Sequence, residues 1–260
     1  MIFIQARLTS SRFPNKMLAD LNGYPLCEYV YRRCANSKMI DRIAVLTSNE
    51  SSDDKLADMC VGKNIPLYRG DLNNVLDRFV SAADFFGAKY VIRVCGDSPF
   101  VDIDLLDDVM ANSDILDKYG YILLGNCLDG FMFEIIRADI LKSLPAMHDL
   151  SDSDKEHVTK YIRDRAEQFK CLFLDANLRP KEPEKYTLTV DYESDIQIAR
   201  DICKELKGFD LKRSMNNAFA STTFKGSSLG SVGTNTVNGD RKSTRLNSSH
   251  RSLSRMPSSA

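Results

Sequence analysis

Several signals that would classify a protein at once are missing from this chain of 260 residues. Its seven cysteines include no C-x-x-C pair, so neither a zinc site nor a disulfide framework is indicated. We expect most of them to be small buried hydrophobes in a reducing compartment. No apolar run is long enough for a signal peptide or a membrane span, so the sequence predicts a cytoplasmic protein with no membrane partner.

Acidic residues are also absent before Asp20, and the N-terminal stretch is cationic. A short apolar run at 2–4 predicts a buried strand, after which Arg7, Arg12 and Lys16 are interspersed with small hydroxyl residues. Backbone N–H groups in such a loop converge on anions and the cations engage phosphate oxygens, so the pattern favours a polyphosphate ligand. The stretch matches neither G-x-x-x-x-G-K-[ST] nor G-x-G-x-x-G. From the spacing alone, a solvated basic loop is an equally good interpretation.

Charge is divided unevenly along the chain. Residues 208–260 contain eight Lys or Arg and two Asp or Glu, which leaves residues 1–207 with 27 basic and 34 acidic side chains. An acidic body with its cations focused at one loop does not suggest a nucleic-acid partner. Residues 208–260 lack apolar periodicity, so we predict a disordered, non-native tail after a domain of residues 1–207. Residues 240–260 resemble translated sequencing-adapter read-through; a genuine basic tail is the alternative.

Apolar runs alternate with helical patterns in residues 1–207. This layout predicts an α/β fold with a mostly parallel sheet flanked by helices. The central strand is expected at 90–94, a hairpin-type turn at Asp129-Gly130, a helix over 154–167 and a strand at 188–190.

Two aspartates each follow a predicted strand. Asp97 comes after the central strand in Gly96-Asp97-Ser98-Pro99, and Asp191 follows the strand at 188–190. Ligands of open parallel sheets bind outside the carboxyl ends of the strands, so both carboxylates are well placed. A helix cap or turn is the competing interpretation, and for Asp97 it is the better one from the residues alone.

The N-terminal stretch also carries a resemblance. Gln5-Ala6-Arg7-x-x-Ser10-x-Arg12-x-Pro14-x-Lys16-x-Leu18 resembles the signature of CTP-dependent sugar cytidylyltransferases of the spore-coat-polysaccharide type. These are related to the acylneuraminate and 3-deoxy-manno-octulosonate cytidylyltransferases. The resemblance implies that the stretch wraps the triphosphate of CTP. Thr9, Ser11 and Asn15 stand where that branch favours Gly, Thr and Gly, and losing two glycines changes the freedom of the loop backbone.

The same resemblance extends to about Leu206 and implies roles for other residues. Asp97 and Asp191 match the family's two Mg²⁺ ligands, and two carboxylates with phosphate oxygens and waters suit an octahedral Mg²⁺. Arg78 is implied on the nucleotide side, with a solvated helix cation as the equal alternative. The resemblance assigns catalysis to Arg7, Arg12, Lys16, Asp97 and Asp191, and nucleotide binding to Gln5, Ala6, Arg7, Ser10, Arg12, Lys16, Thr47, Ser48, Arg78 and Asp97.

A further group of residues is implied to face the acceptor. Residues 129–134 are similar to the family's D-G-L-D-V-E, and residues 156–163 to its E-H-V-T-P-Y-I-R. Met132 replaces a family acid, which leaves the identity of the acceptor open. A histidine such as His157 is more often structural or substrate-positioning than catalytic. The implied acceptor-binding residues are Asp129, Glu134, His157 and Arg163.

As a whole, the resemblance implies a Rossmann-like nucleotide-diphospho-sugar transferase fold with a small β-containing insertion at about 120–170 for dimerisation and acceptor binding. It implies a Mg²⁺-dependent, homodimeric nucleotidyltransferase that transfers CMP from CTP to an acidic, nonulosonic-acid-like sugar for surface polysaccharide synthesis. One alternative is an enzyme that uses a different base or a non-sialic acceptor. The other is a nucleotide-binding pseudoenzyme that acts as an assembly partner.

Overall fold

A computed structural model of the chain describes residues 1–125, 127–175 and 188–205. Within these ranges, one large sheet contains β1 (Ile2–Gln5), β4 (Ile43–Ser48), β5 (Leu67–Gly70), β6 (Tyr90–Cys95), β7 (Tyr121–Gly125), β8 (Glu134–Arg137) and β9 (Cys171–Asp175). A separate small ribbon pairs β2 (Asp20–Leu21) with β3 (Tyr24–Pro25). The predicted tail at 208–260 lies outside the described residues.

The large sheet has the order β5-β4-β1-β6-β8-β7-β9. Strand β8 runs antiparallel to both of its neighbours, and the other strands are parallel to one another. The predicted mostly parallel sheet is therefore confirmed. Strands β7 and β8 lie within the predicted insertion at 120–170. They extend the large sheet and do not form a separate one.

Helices cover both faces of the sheet. Residues of β1 alternate between two cores: Ile2 and Ile4 pack on one side and Phe3 on the other, each fully buried. Because parallel strands need crossover connections, the helices between them are distributed over the two faces. The helices are α1 (Leu26–Cys34), α2 (Asp54–Gly62), α3 (Val75–Phe85), α4 (Ile103–Met110), α5 (Ser113–Lys118), α6 (Ala138–Ser143), α7 (Asp152–Glu156), α8 (Lys160–Asp164) and α9 (Glu193–Glu205), with short 3₁₀ turns at Lys16–Leu18, Ser51–Asp53 and Leu144–Ala146.

Two predicted elements are wrong. The helix expected over 154–167 is broken between α7 and α8, where Val158 has a φ of 53° and is fully buried. Burial of Val158 and a hydrogen bond from Thr159 Oγ1 to Glu134 Oε1 (3.0 Å) favour the break over a continuous helix. Residues 188–190 form no strand and bend at Thr189, because Leu188 N and Val190 N donate to the loop carbonyls of Asp129 and Asp97.

Other expectations agree with the structure. Strands β7 and β8 are antiparallel neighbours, and the segment that joins them contains Asp129-Gly130. All seven cysteines lie in the described residues, where none of them forms a disulfide and five of them are buried. No helix in this part of the chain is long and apolar enough to cross a membrane.

Candidate functional site

The site begins where β1 and β6 end side by side. Gln5 pairs in register with Cys95, so the loops that follow both strands leave the sheet at the same edge. Gly96 N donates to Gln5 O at 2.8 Å. A Cβ at Gly96 would lie 3.1 Å from both Ala6 Cβ and Gln5 O, so glycine allows this close approach. The two loops are thereby held together.

Lys16 is the centre of the site. Its side chain is buried, and Nζ lies 2.8 Å from Asp97 Oδ2, 3.0 Å from Asp191 Oδ1 and 2.9 Å from Val190 O. Burial alone would lower the pKa of Lys16, but the carboxylates of Asp97 and then Asp191 outweigh it, and the pKa lies above its ordinary value. The ammonium is therefore charged and bridges two carboxylates.

The two carboxylates are free for this role because other residues cap the neighbouring helices. Asp102 caps α4, accepting from Leu105 N at 3.0 Å. Asp195 Oδ2 accepts from Asp191 N (2.9 Å) and Tyr192 N (2.7 Å), which turns the chain into α9. Asp97 therefore does not cap α4, although it does lie in a turn, as the alternative interpretation allowed. Asp191 Oδ1 accepts from Lys16 and Arg12.

The segment that carries Asp191 is tied down along its length. Leu188 N donates to Asp129 O at 2.9 Å, and Val190 N donates to Asp97 O at 2.8 Å. Gly130 lies directly beneath it, since a Cβ there would be 2.6 Å from the carbonyl carbon of Leu188. The 129–130 turn thus positions the second carboxylate.

The donor set at Lys16 fits a hard divalent cation. Two carboxylate oxygens and the Val190 carbonyl converge on one positive charge, and oxygen is the ligand that Mg²⁺ prefers. Among the described residues there is no group of three or more His, Cys, Asp or Glu that could hold a metal ion. Because their carboxylates converge on one point, Asp97 and Asp191 are the residues that would hold a bound Mg²⁺, with substrate and water as its other ligands.

The loop after β1 surrounds this centre with cations. Arg12 donates to Asp191 Oδ1 at 2.9 Å, and its guanidinium lies 5.2 Å from the ring centre of Tyr192. The Arg7 side chain is exposed and forms no ion pair with the described residues. Ser10 Oγ accepts from Phe13 N at 3.3 Å, so its hydroxyl shapes the loop. Asn15 has a φ of 58°, a left-handed conformation that asparagine tolerates, so the loop makes this turn without a glycine.

Asp53 anchors the loop to the end of β4. Its buried carboxylate accepts from Leu8 N (2.7 Å), Thr47 Oγ1 (3.0 Å) and Ser48 N (3.1 Å), as well as from the Ser48 hydroxyl. Thr47 and Ser48 are themselves fully buried. The hydroxyls that were predicted to bind nucleotide therefore hold Asp53, and Asp53 holds the loop.

Arg78 is a buried cation next to the loop. It is 2% exposed, and among the described residues Nε has no hydrogen-bond partner while one terminal nitrogen donates to Leu72 O at 3.3 Å. Burial lowers its pKa, with Asp53 opposing the shift and the Arg7 charge adding to it. The interpretation of Arg78 as a solvated helix cation is wrong.

The predicted acceptor residues occupy different environments. Glu134 is 5% exposed and accepts from Arg93 (2.8 Å), Tyr121 OH (2.9 Å) and Thr159 Oγ1 (3.0 Å). Asp129, His157 and Arg163 are exposed. Arg93 was not among the predicted residues, although a charged residue inside an otherwise apolar central strand was the available signal.

Known proteins of one family are similar to this chain in sequence. The family model described as Cytidylyltransferase matches residues 1–221. The chain is 35% identical over 202 residues to the spore coat polysaccharide biosynthesis protein SpsF of Bacillus subtilis, covering 76% of this chain and 83% of that protein. It is 32% identical over 110 residues to a 3-deoxy-manno-octulosonate cytidylyltransferase of Geobacter sulfurreducens, covering 42% of each chain.

Two solved structures share the fold. A cytidylyltransferase from Leptospira borgpetersenii superposes with a TM-score of 0.74 at 24% identity, covering 85% of this chain and 93% of that one. A CMP:2-keto-3-deoxy-manno-octonic acid synthetase complexed with CTP superposes with a TM-score of 0.59 at 17% identity, covering 79% and 98%.

Proposed function

The chain belongs to the cytidylyltransferase family, and from this premise we propose that it transfers CMP from CTP to an acidic, nonulosonic-acid-like sugar with release of pyrophosphate. The observation that carries the proposal is the convergence of Lys16, Asp97 and Asp191, from three separate parts of the chain, beside a cationic loop. The name of the B. subtilis relative supports a product used in polysaccharide synthesis.

The reaction is an in-line displacement. The acceptor hydroxyl oxygen bonds to the α-phosphorus of CTP, the bond from that phosphorus to the bridging oxygen breaks, pyrophosphate leaves, and the hydroxyl proton passes to solvent water. Positioning and charge stabilisation account for most of the catalysis in such transfers. Arg7, Arg12 and Lys16 hold the triphosphate, and Arg78 adds positive charge on the nucleotide side.

Mg²⁺ would be held by Asp97 and Asp191 and, when bound, would supply a Lewis acid for the phosphate oxygens. The protein keeps these carboxylates aligned through the Leu188 and Val190 backbone hydrogen bonds. Arg12 and Lys16 neutralise them before substrate arrives.

An acidic acceptor is favoured by an exposed cation on the acceptor side. Arg163 is exposed in the segment that resembles the family's acceptor motif, and a guanidinium suits a sugar carboxylate. Asp129 and His157 are expected to bind sugar hydroxyls. Met132 is 39% exposed where the family has an acid, so the acceptor should present an apolar group or no cation there.

We further propose that the enzyme is a cytoplasmic homodimer.

Pyrophosphate release with Mg²⁺ tests the proposal. CTP is compared with ATP, GTP and UTP, and nonulosonic and 3-deoxy acidic sugars are compared with neutral sugars. We expect release with CTP and one acidic acceptor, and its loss in Asp97→Asn and Asp191→Asn but not in the exposed control Asp58→Asn. Tight CTP binding without release for any acceptor would favour the pseudoenzyme. Release with another nucleotide or a neutral sugar would contradict the proposed specificity.

A further inference from the structure

Arg12 contacts two consecutive residues that lie just before α9. A terminal nitrogen of Arg12 donates to Asp191 Oδ1 at 2.9 Å, and the guanidinium carbon lies 5.2 Å from the centre of the Tyr192 ring. Attractive cation–π contacts extend to about 6 Å. The Tyr192 hydroxyl and then the Asp191 charge raise the pKa of Arg12 above its ordinary value. Both neighbours therefore stabilise the charged guanidinium.

The contact with Asp191 is the one that substrate binding would weaken. Asp191 Oδ1 accepts from Lys16 Nζ at 3.0 Å as well as from Arg12, so two cations share one carboxylate oxygen. Once Asp191 serves as a metal ligand, as proposed above, its charge is no longer available to Arg12. The Tyr192 side chain is neutral and is not a ligand that Mg²⁺ prefers, so its contact with Arg12 can remain.

A contact with the aromatic ring also leaves Arg12 able to bind phosphate. A guanidinium stacks on an aromatic ring through its flat face, while its five N–H donors lie in its plane. Phosphate oxygens are bound through those donors. The side chain of Arg12 is 53% exposed and Tyr192 is 52% exposed, so the pair lies on the open side of the site.

The backbone of Tyr192 is fixed independently of its ring. Tyr192 N donates to Asp195 Oδ2 at 2.7 Å, and Asp195 N donates to Tyr192 O at 3.0 Å. The same carboxylate oxygen of Asp195 accepts from Asp191 N at 2.9 Å. These bonds involve main-chain atoms of Tyr192 alone, so a substitution that removes the ring leaves the start of α9 in place.

Resting on the function proposed above, we propose that Tyr192 is a positioning residue that keeps Arg12 beside the triphosphate when Asp191 becomes a metal ligand. Arg12 then exchanges one partner, the carboxylate, for phosphate oxygens and keeps the other. Tyr192 acts through Arg12 and does not itself contact the substrate. Its effect is therefore expected on the affinity for the nucleotide.

Calorimetric titration of CTP in the presence of Mg²⁺ tests this role. Tyr192→Leu should bind CTP about 2- to 5-fold more weakly than wild type, the range that a cation–π contact at an exposed site accounts for. Tyr192→Phe keeps the ring and should stay within about 1.5-fold of wild type. Phe85→Leu removes an exposed aromatic ring at the C-terminal end of α3 and should bind CTP as wild type does. Equal weakening in Tyr192→Phe and Tyr192→Leu would overturn the role of the ring.

A double-mutant cycle separates action through Arg12 from a direct contact with CTP. In an Arg12→Gln background the cation is already absent, so adding Tyr192→Leu should weaken CTP binding by less than about 1.5-fold. If Tyr192→Leu weakened binding equally in both backgrounds, Tyr192 would contact the substrate itself, and the proposal would be wrong.

Mn²⁺ titration without nucleotide separates this role from a purely structural one. Tyr192→Leu should bind Mn²⁺ as tightly as wild type or more tightly, because Arg12 competes for Asp191 and is then held less firmly. Weaker Mn²⁺ binding would show that the ring supports the Asp191 segment, and would overturn the proposal. A wild-type protein that binds no CTP would reject the proposed function and this inference together. Wild-type affinity for CTP in Tyr192→Leu would reject the inference alone.

Discussion

Lys16 Nζ and Asp97 Oδ2 lie 2.8 Å apart, although 81 residues separate them in the chain. The contact joins the loop after β1 to the loop after β6. Because Nζ also reaches Asp191, one ammonium pairs with both carboxylates that are proposed to bind the metal. The site is thus held together by a cation before any substrate is bound.

Replacing this cation should have two effects. Lys16→Met is expected to lower kcat/KM about 100- to 1,000-fold, the loss typical of one group that stabilises transition-state charge. It should also raise the affinity for Mn²⁺ in the absence of nucleotide, because the two carboxylates lose the cation that they share. Steady-state kinetics and Mn²⁺ titration measure the two effects. Lys55→Met, at an exposed position of α2, is the control. Unchanged kinetics in Lys16→Met would contradict the assignment.

Gly130 should be intolerant of a side chain. Its φ is 103°, and a Cβ there would lie 2.6 Å from the Leu188 carbonyl carbon and 2.8 Å from its oxygen. Gly130→Ala should therefore destabilise the fold by about 1–3 kcal/mol and lower kcat by displacing the segment that carries Asp191. Urea denaturation and kinetics test this. Gly62→Ala, in α2 with open space around it, should be neutral or up to about 1 kcal/mol stabilising. Equal behaviour of the two variants would refute the account.

Asp53 should couple stability to nucleotide binding. Asp53→Asn leaves at least one of its buried donors unsatisfied, which costs about 1–3 kcal/mol each. The loop after β1, which Asp53 holds through Leu8 N, should then bind CTP more weakly. Calorimetric titration with CTP and chemical denaturation should show both losses, and the exposed control Asp58→Asn should show neither. A destabilised variant with wild-type CTP affinity would show that the anchor serves folding alone.

Glu134 should make stability depend on pH. Burial alone would raise its pKa, but the adjacent Arg93 outweighs burial and keeps the pKa below its ordinary value of 4.5. The ionised carboxylate therefore stabilises the fold fully above about pH 4.5, and this stabilisation is lost as pH falls through the lowered pKa. Glu134→Gln should cost about 3–5 kcal/mol at neutral pH, because Arg93 is left buried and unpaired.

The difference in the free energy of unfolding between wild type and Glu134→Gln should become smaller at acidic pH. Denaturation of wild type and Glu134→Gln at pH 7 and at several values below 4.5 provides the measurement. Glu167→Gln, an exposed carboxylate, serves as the matched control. A difference between wild type and Glu134→Gln that stays constant across this range would show that folding does not lower the pKa of Glu134.

Local patterns predicted much of the fold. The apolar run at 2–4 and the central strand at 90–94 became β1 and β6, because apolar runs bounded by polar loops have few stable places other than the interior of a sheet. Helix α5 and the break at Val158 were not predicted. The break depends on the hydrogen bond from Thr159 to Glu134, which lies 25 residues earlier in the chain. The apolar spacing around Thr159 cannot reveal a partner at that distance in the sequence.

The sequence by itself determined which charged residues belong to the site and roughly where they lie. The cations follow the first strand, and the aspartates come where the polypeptide returns to the same edge of the sheet. Parallel strand order makes that edge common to the cations and Asp97. Residues 188–190 before Asp191 form no strand, and the hydrogen bond from Val190 N to Asp97 O holds this segment there. Only the tertiary structure decided which groups touch. It showed Lys16 between Asp97 and Asp191, Thr47 and Ser48 turned to Asp53, and Glu134 buried against Arg93. Hydrogen bonds are made over about 3 Å, whereas sequence patterns specify only which strand end a residue follows.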